Sequence, residues 1–194
     1  MPSLSCSEAS RIDRPTTPPA CLPACLPAIE GMHWRIDRSL TQHYCCVVLP
    51  AVDPVTGNLP PGVHGSSWAE LEAAFGSTQW RQHLLSGLRA ALEALRVAGC
   101  RRVYVDGSFV TAKEVPGDFD GCWEAEDVDY EALDPVLLDF RDRRAAQKAK
   151  FGGEMFVANW GADPEGTRFL DFFQIDKKTS DAKGIVAIDL GALR

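Results

Sequence analysis

The chain has 194 residues, of which 45% are hydrophobic and 24% charged, with 27 acidic against 20 basic side chains and a formal net charge of -7. That length buries one sizeable core but is short for two full domains, and the 16 Gly and 13 Pro show no collagen-like period. The acidic balance excludes a generic basic nucleic-acid binder, so a polyanion would have to be held by a local basic patch or through divalent cations.

Residues 1–31 hold six of the 13 prolines (Pro2, Pro15, Pro18, Pro19, Pro23 and Pro27) and show no helical or strand period. This stretch is expected to be disordered, and Met32, which follows it, offers an alternative translation start that would make it an upstream extension. The apolar run Ala20–Ile29 is broken by proline and closed by Glu30, a poor signal-peptide core. With no apolar run long enough to span a bilayer, the expectation is a cytoplasmic protein without a membrane partner. The domain division expected is a disordered or mis-assigned extension at 1–43 and one folded domain at 44–194.

Tyr44–Val48 is predicted as a strand, and Pro50–Gly65 as a loop dense in Pro, Gly, Asn and Asp. Ser67 or Ser66 caps a helix over Trp68–Phe75, with Glu70 placed for a capping box and Gly76 as its stop. From Thr78 to Ala98 the residues Leu84, Leu85, Leu88, Ala91, Leu92 and Leu95 recur at helical spacing, with Gly99 just beyond. Arg102–Val105 and Asp118–Trp123 are predicted strands, the second after the turn Pro116-Gly117. Pro135 suits the first turn of a helix to about Lys150, whose cations Arg141, Arg143, Arg144, Lys148 and Lys150 complement the helix dipole, with phosphate binding as the alternative role. Three further strands are predicted at Glu154–Ala158, Phe169–Ile175 and Ile185–Leu190. The fold class is therefore α/β or α+β, a mixed sheet with helices packed on it.

The seven cysteines are odd in number and form no pair of metal-binding knuckles, so neither a disulfide framework nor a zinc site is expected. Cys100 and Cys122, in apolar settings, are read as small buried residues of a reduced protein.

The chemistry concentrates in Val105-Asp106-Gly107-Ser108-Phe109 and in Asp118-Phe119-Asp120, with nine residues between Ser108 and Asp118. Alternation along a strand sends Asp118 and Asp120 to one face and Phe119 to the other. Two such carboxylates raise one another's pKa unless a hard cation, magnesium or manganese, lies between them. Gly107 and Ser108 sit where a strand turns into a short helical segment, which offers N–H groups, a hydroxyl and a helix N-terminus to a phosphate. Taken alone, an acidic pair after Pro-Gly reads first as a turn-flanking pair, and Lys113 in the spacer is either a solvated lysine or a phosphate ligand.

Gly107-Ser108 and Asp118-Phe119-Asp120 at this spacing resemble the signature of the nucleotidyltransferase superfamily, the polymerase-beta-like fold. The segments Leu59-Pro60-Pro61-Gly62-Val63-His64, Asp106–Thr111, Asp118–Trp123, Phe169–Gln174 and Lys183-Gly184-Ile185-Val186 are similar to the bacterial DUF6932 family, itself regarded as nucleotidyltransferase-like. The resemblance implies transfer of a nucleoside monophosphate from an NTP to a hydroxyl, assisted by two Mg2+ or Mn2+ ions. It places Asp118 and Asp120 on the metals and Gly107, Ser108 and Lys113 on the triphosphate. A third acid comes from Asp171, in the middle of an apolar predicted strand, or from Glu154, which fits the order of elements. Asp106, standing where the superfamily has an apolar residue, departs from the pattern. The acceptor is a protein, an RNA or a small molecule. Small members of the superfamily also work beside helical partners in toxin-antitoxin or phage-defence modules. The second reading is accordingly a catalytically inactive interaction module bound to the product of a neighbouring gene.

Overall fold

The computed structural model describes residues 49–193. The expected disorder of 1–43, the domain start at residue 44 and the strand Tyr44–Val48 lie outside them.

The first helices form for the reasons their sequences give. In α1 (Trp68–Phe75) the Ser67 side chain accepts from the Glu70 N–H at 3.3 Å while the Glu70 carboxylate accepts from the Ser67 N–H at 2.8 Å. That reciprocal pair satisfies two of the orphan donors at a helix start. Thr78 caps α2 (Gln79–Val97), and the stripe Leu84, Leu85, Leu88, Ala91, Leu92 and Leu95 is buried throughout. Gly87 on the same helix allows α3 (Ala145–Phe151) to approach, because a Cβ there would come 1.8 Å from the Phe151 carbonyl oxygen.

Among the described residues five strands form one mixed sheet: β1 (Gly62–Ser66), β2 (Arg102–Asp106), β3 (Phe119–Trp123), β4 (Gly153–Val157) and β5 (Gly184–Asp189), in the order β1-β5-β2-β3-β4. β1 runs parallel to β5 and β3 to β4, whereas β2 is antiparallel to both of its neighbours. Val103, Val105, Phe119, Trp123, Met155, Val157, Val186 and Ile188 face α1, α2 and α3 in the main core. On the opposite face a smaller cluster of Tyr104, Cys122, Phe156 and Ile185 lies under Phe169 and Phe173 of the α4 segment (α4, Phe169–Phe172). The mixed α/β architecture expected from the sequence is the one observed. Cys100 and Cys122 are buried free thiols whose pKa values burial raises, Cys100 to about 11. Among the described residues no helix is long and apolar enough to cross a membrane.

Three expected elements differ. The loop predicted over Pro50–Gly65 contains β1: its sequence has no apolar alternation, and the parallel ladder offered by β5 is what holds it extended. The single helix predicted from Pro135 to Lys150 is instead a 3-10 turn at Pro135–Leu138, a second turn at Asp142–Arg144 and α3. Asp142, Arg143 and Arg144 all have positive φ (46°, 53° and 58°), which breaks the helix. Phe169–Ile175, predicted as a strand, starts with α4, because Phe169, Phe172 and Phe173 recur at helical spacing and Arg168 pairs with Asp171 three residues on.

Candidate active site

Strand register builds an acidic row. Asp106, the last residue of β2, lies opposite Asp120 of β3, and Asp120 lies opposite Glu154 of β4. Residues directly opposite in a sheet share a face, so these three carboxylates stand side by side across three strands. Asp118 adjoins the row just before β3, and Lys148 contacts both Asp118 and Glu154. Phe119, between the two aspartates, is fully buried in the main core, as alternation requires.

Gly107 closes the row at the end of β2. Its φ of 82° favours glycine, and a Cβ there would come 2.6 Å from Asp120 Oδ2 and 2.9 Å from the Asp120 nitrogen. The chain then makes one 3-10 turn, Ser108–Val110, the short helical segment expected after the strand. The Ser108 hydroxyl has no hydrogen-bond partner among the described residues. The loop behind it is clamped by the buried guanidinium of Arg81 on α2, which donates to the carbonyls of Phe75, Phe109, Thr111 and Lys113 at 2.6 to 3.1 Å. Trp80 Nε1 adds a bond of 2.6 Å to the Pro116 carbonyl.

Among the described residues four cations face the four acids. Lys183, immediately before β5, makes a nearly buried ion pair with Asp106. Arg144 donates to Glu154 Oε2 at 2.7 Å and lies 4.6 Å over the Phe156 ring. Lys148 reaches Glu154 Oε1 at 2.5 Å and Asp118 Oδ2 at 3.3 Å, and both contacts raise its pKa, Glu154 the more. Lys177 acts on Asp106 and Asp120 through its field. Burial pushes the Asp106 carboxyl up while Lys183 opposes it. Asp120 is pushed up to about 6 by burial first and then by the Asp118 charge, with Asp106 and Glu154 adding to it. Among the described residues no cation forms an ion pair with Asp120.

The structure brings Gly107, Ser108, Asp118, Asp120 and Glu154 together. Asp171 stands apart from the premise that singled it out, since it is half exposed on α4 and paired with Arg168 at 2.7 Å. Lys113 is exposed in the clamped loop, and its ammonium makes no ion pair with the row among the described residues. The cations Arg144 and Lys148, expected from sequence to complement a helix dipole with phosphate binding as the alternative, pair instead with acids of the site. Lys183 and Arg81 carried no sequence signal of their own: one lies 77 residues from its partner Asp106 and the other sits on a helix in the apolar stripe.

A family model described as a family of unknown function, DUF6932, matches residues 50–189, well over half of the chain. The chain belongs to the DUF6932 family. That match spans every strand of the sheet and all residues of the acidic row. No curated protein and no solved structure matches this DUF6932 chain.

Proposed function

We propose that this DUF6932 protein is a metal-dependent nucleotidyltransferase that moves a nucleoside monophosphate from an NTP to a hydroxyl of a protein, an RNA or a small molecule. The observation that supports it most is Asp120: a poorly solvated carboxylate between Asp106 and Glu154, next to Asp118, with no ion pair among the described residues and with Gly107 pressed against it.

The donor set fits a hard divalent cation. It consists of carboxylate oxygens, which suit Mg2+ or Mn2+, and a cation there would relieve the like-charge pressure on Asp120. Among the described residues no three Asp, Glu, His or Cys side chains already converge at coordination distance, and Lys148 stands between two of the acids. Asp118, Asp120 and Glu154 would hold the metal, which supplies positive charge to the phosphate under attack and to the departing pyrophosphate. Ser108, with its unpartnered hydroxyl, and the clamped turn at Gly107 would orient the triphosphate. Transfer forms a bond from the acceptor oxygen to the α-phosphorus, breaks the bond to pyrophosphate, which leaves with its electron pair, and passes the hydroxyl proton to solvent. Asp106 differs from the other acids, because Lys183 already neutralises it, and is assigned to positioning rather than to the metal.

The test is incubation of the purified chain with each α-labelled NTP, Mg2+ or Mn2+ and host lysate, beside Asp118→Ala/Asp120→Ala. Label on an acceptor only with the intact acids is the expected outcome. The ion pairs of Lys148, Arg144 and Lys183 favour the second reading, an inactive interaction module whose acids are balanced by its own cations. Under that reading neither label nor Mn2+ binding appears, and the chain copurifies stoichiometrically with the product of a neighbouring gene.

A further inference from the structure

We infer that Lys148 is an exchange cation: it occupies Asp118 and Glu154 in the free protein and moves onto the phosphates of a metal-bound polyphosphate when that ligand arrives. The inference rests on the nucleotidyltransferase reading and adds to it a rule of ligand selection.

Of the four cations facing the acids, Lys148 is the one built to move. Lys183 and Asp106 have side chains only 11% and 5% exposed, so separating them would strand a charge in the interior. Arg144 is held twice, by Glu154 Oε2 and by the Phe156 ring. Lys177 lies 5.7 Å over the Phe172 ring and touches no acid of the row. Lys148 is 43% exposed and bridges two acids, Asp118 just before β3 and Glu154 on β4, taking the Glu154 oxygen that Arg144 leaves. When Lys148 departs, Glu154 therefore keeps one counter-ion.

A divalent ion binding to Asp118 and Glu154 displaces the ammonium, and the four-carbon stem keeps that ammonium beside the site. A bare ion leaves it without a partner and close to another positive charge. A metal that carries a polyphosphate gives it oxygen acceptors in place of those it lost. Carboxylates and ammonium groups interleaved in this way match a ligand that brings both signs of charge. The free protein thus discriminates against the bare metal and favours the metal–nucleotide complex.

The test is Lys148→Met, with Lys148→Arg as the charge-keeping control and thermal melting as the check on folding. Binding of Mn2+ alone is followed by the electron paramagnetic signal of the free ion. Binding of the magnesium complexes of the four α,β-methylene nucleoside triphosphates is followed by calorimetry. Lys148→Met is expected to bind bare Mn2+ about fivefold more tightly, since a competing ion pair is gone. It should bind the preferred magnesium–triphosphate about tenfold more weakly, through loss of a charge-assisted bond. Lys148→Arg should stay near the parent in both. Changes of the same sign, or none, in a parent chain that binds both ligands would overturn the exchange role alone. A parent chain that binds neither Mn2+ nor any triphosphate would overturn the nucleotidyltransferase reading, and the exchange role with it.

Discussion

Burial and the neighbouring Asp118 carboxylate push the Asp120 acid up to about 6 from an ordinary value of 3.8, so this residue ionises in the folded chain at a higher pH than in the unfolded one. The sign follows directly: between those two values the native state holds a proton that the unfolded state has lost, and stability falls as pH rises through the window. Asp120→Asn is therefore expected to stabilise the metal-free protein above pH 6, by at most about 3 kcal/mol, with the gain fading toward pH 4. Denaturant melts of both chains across that range check it, and a flat difference would remove Asp120 as the strained group. Protons and a divalent ion compete for the same carboxylate, so Mn2+ binding to the parent should weaken as pH falls through about 6. Gly107→Ala meets both a positive φ and the Asp120 carboxylate at 2.6 Å. It should impair Mn2+ and nucleotide binding together while leaving the α2 core intact, as read by titration and by circular dichroism.

At the scale of elements, two buried polar side chains determine how loops meet the site. Arg81 binds three carbonyls of the segment that carries Ser108 and a fourth, that of Phe75, at the end of α1, and burial lowers its pKa because the guanidinium is held away from water. Arg81→Met leaves those carbonyls without their donor, with an expected loss of roughly 3 kcal/mol or more. Faster amide exchange across residues 108–113 should accompany it; unchanged exchange there would show that the clamp does not order the loop. Gln147 plays the matching part on the other side. Its amide donates to the Leu137 and Asp139 carbonyls and accepts from the Met155 N–H on edge strand β4. It thereby secures the turn with three consecutive positive-φ residues that delivers Arg144 to Glu154. α1 and α2 were legible from sequence because their caps and stripes are local. The break after Pro135 was not, because Gln147 and Arg144 find their partners in another element.

Across the whole molecule, the last third of the chain completes what the middle third begins. The Asp106–Lys183 pair joins β2 to the start of β5, and nearby the Asn58 amide donates to Asp176 at 2.9 Å and the Gly184 N–H to the Leu59 carbonyl. Lys183→Met leaves a buried carboxylate without its counter-ion, an expected destabilisation of about 3 to 5 kcal/mol at neutral pH. Without Lys183 the burial that raises the Asp106 acid is opposed only by the Gly107 N–H and the Lys177 charge, so the carboxyl ionises at higher pH. The destabilisation should accordingly shrink as pH falls and that carboxyl takes up its proton. Equal losses at pH 5 and pH 8 would mean that Lys183 acts by packing alone.

The sequence by itself determined the two capped helices, the strands β2 to β5 to within a residue or so at their ends, the burial of Phe119 and the grouping of Gly107, Ser108, Asp118 and Asp120. Each of these follows from residues close together in the chain, through capping, alternation or spacing. Tertiary structure alone decided that β1 is a strand and that Glu154 rather than Asp171 completes the acidic row. It also decided which cations face the acids. Those outcomes depend on strand order and register, which bring together residues as distant as Asp106 and Lys183, and no local pattern encodes that pairing.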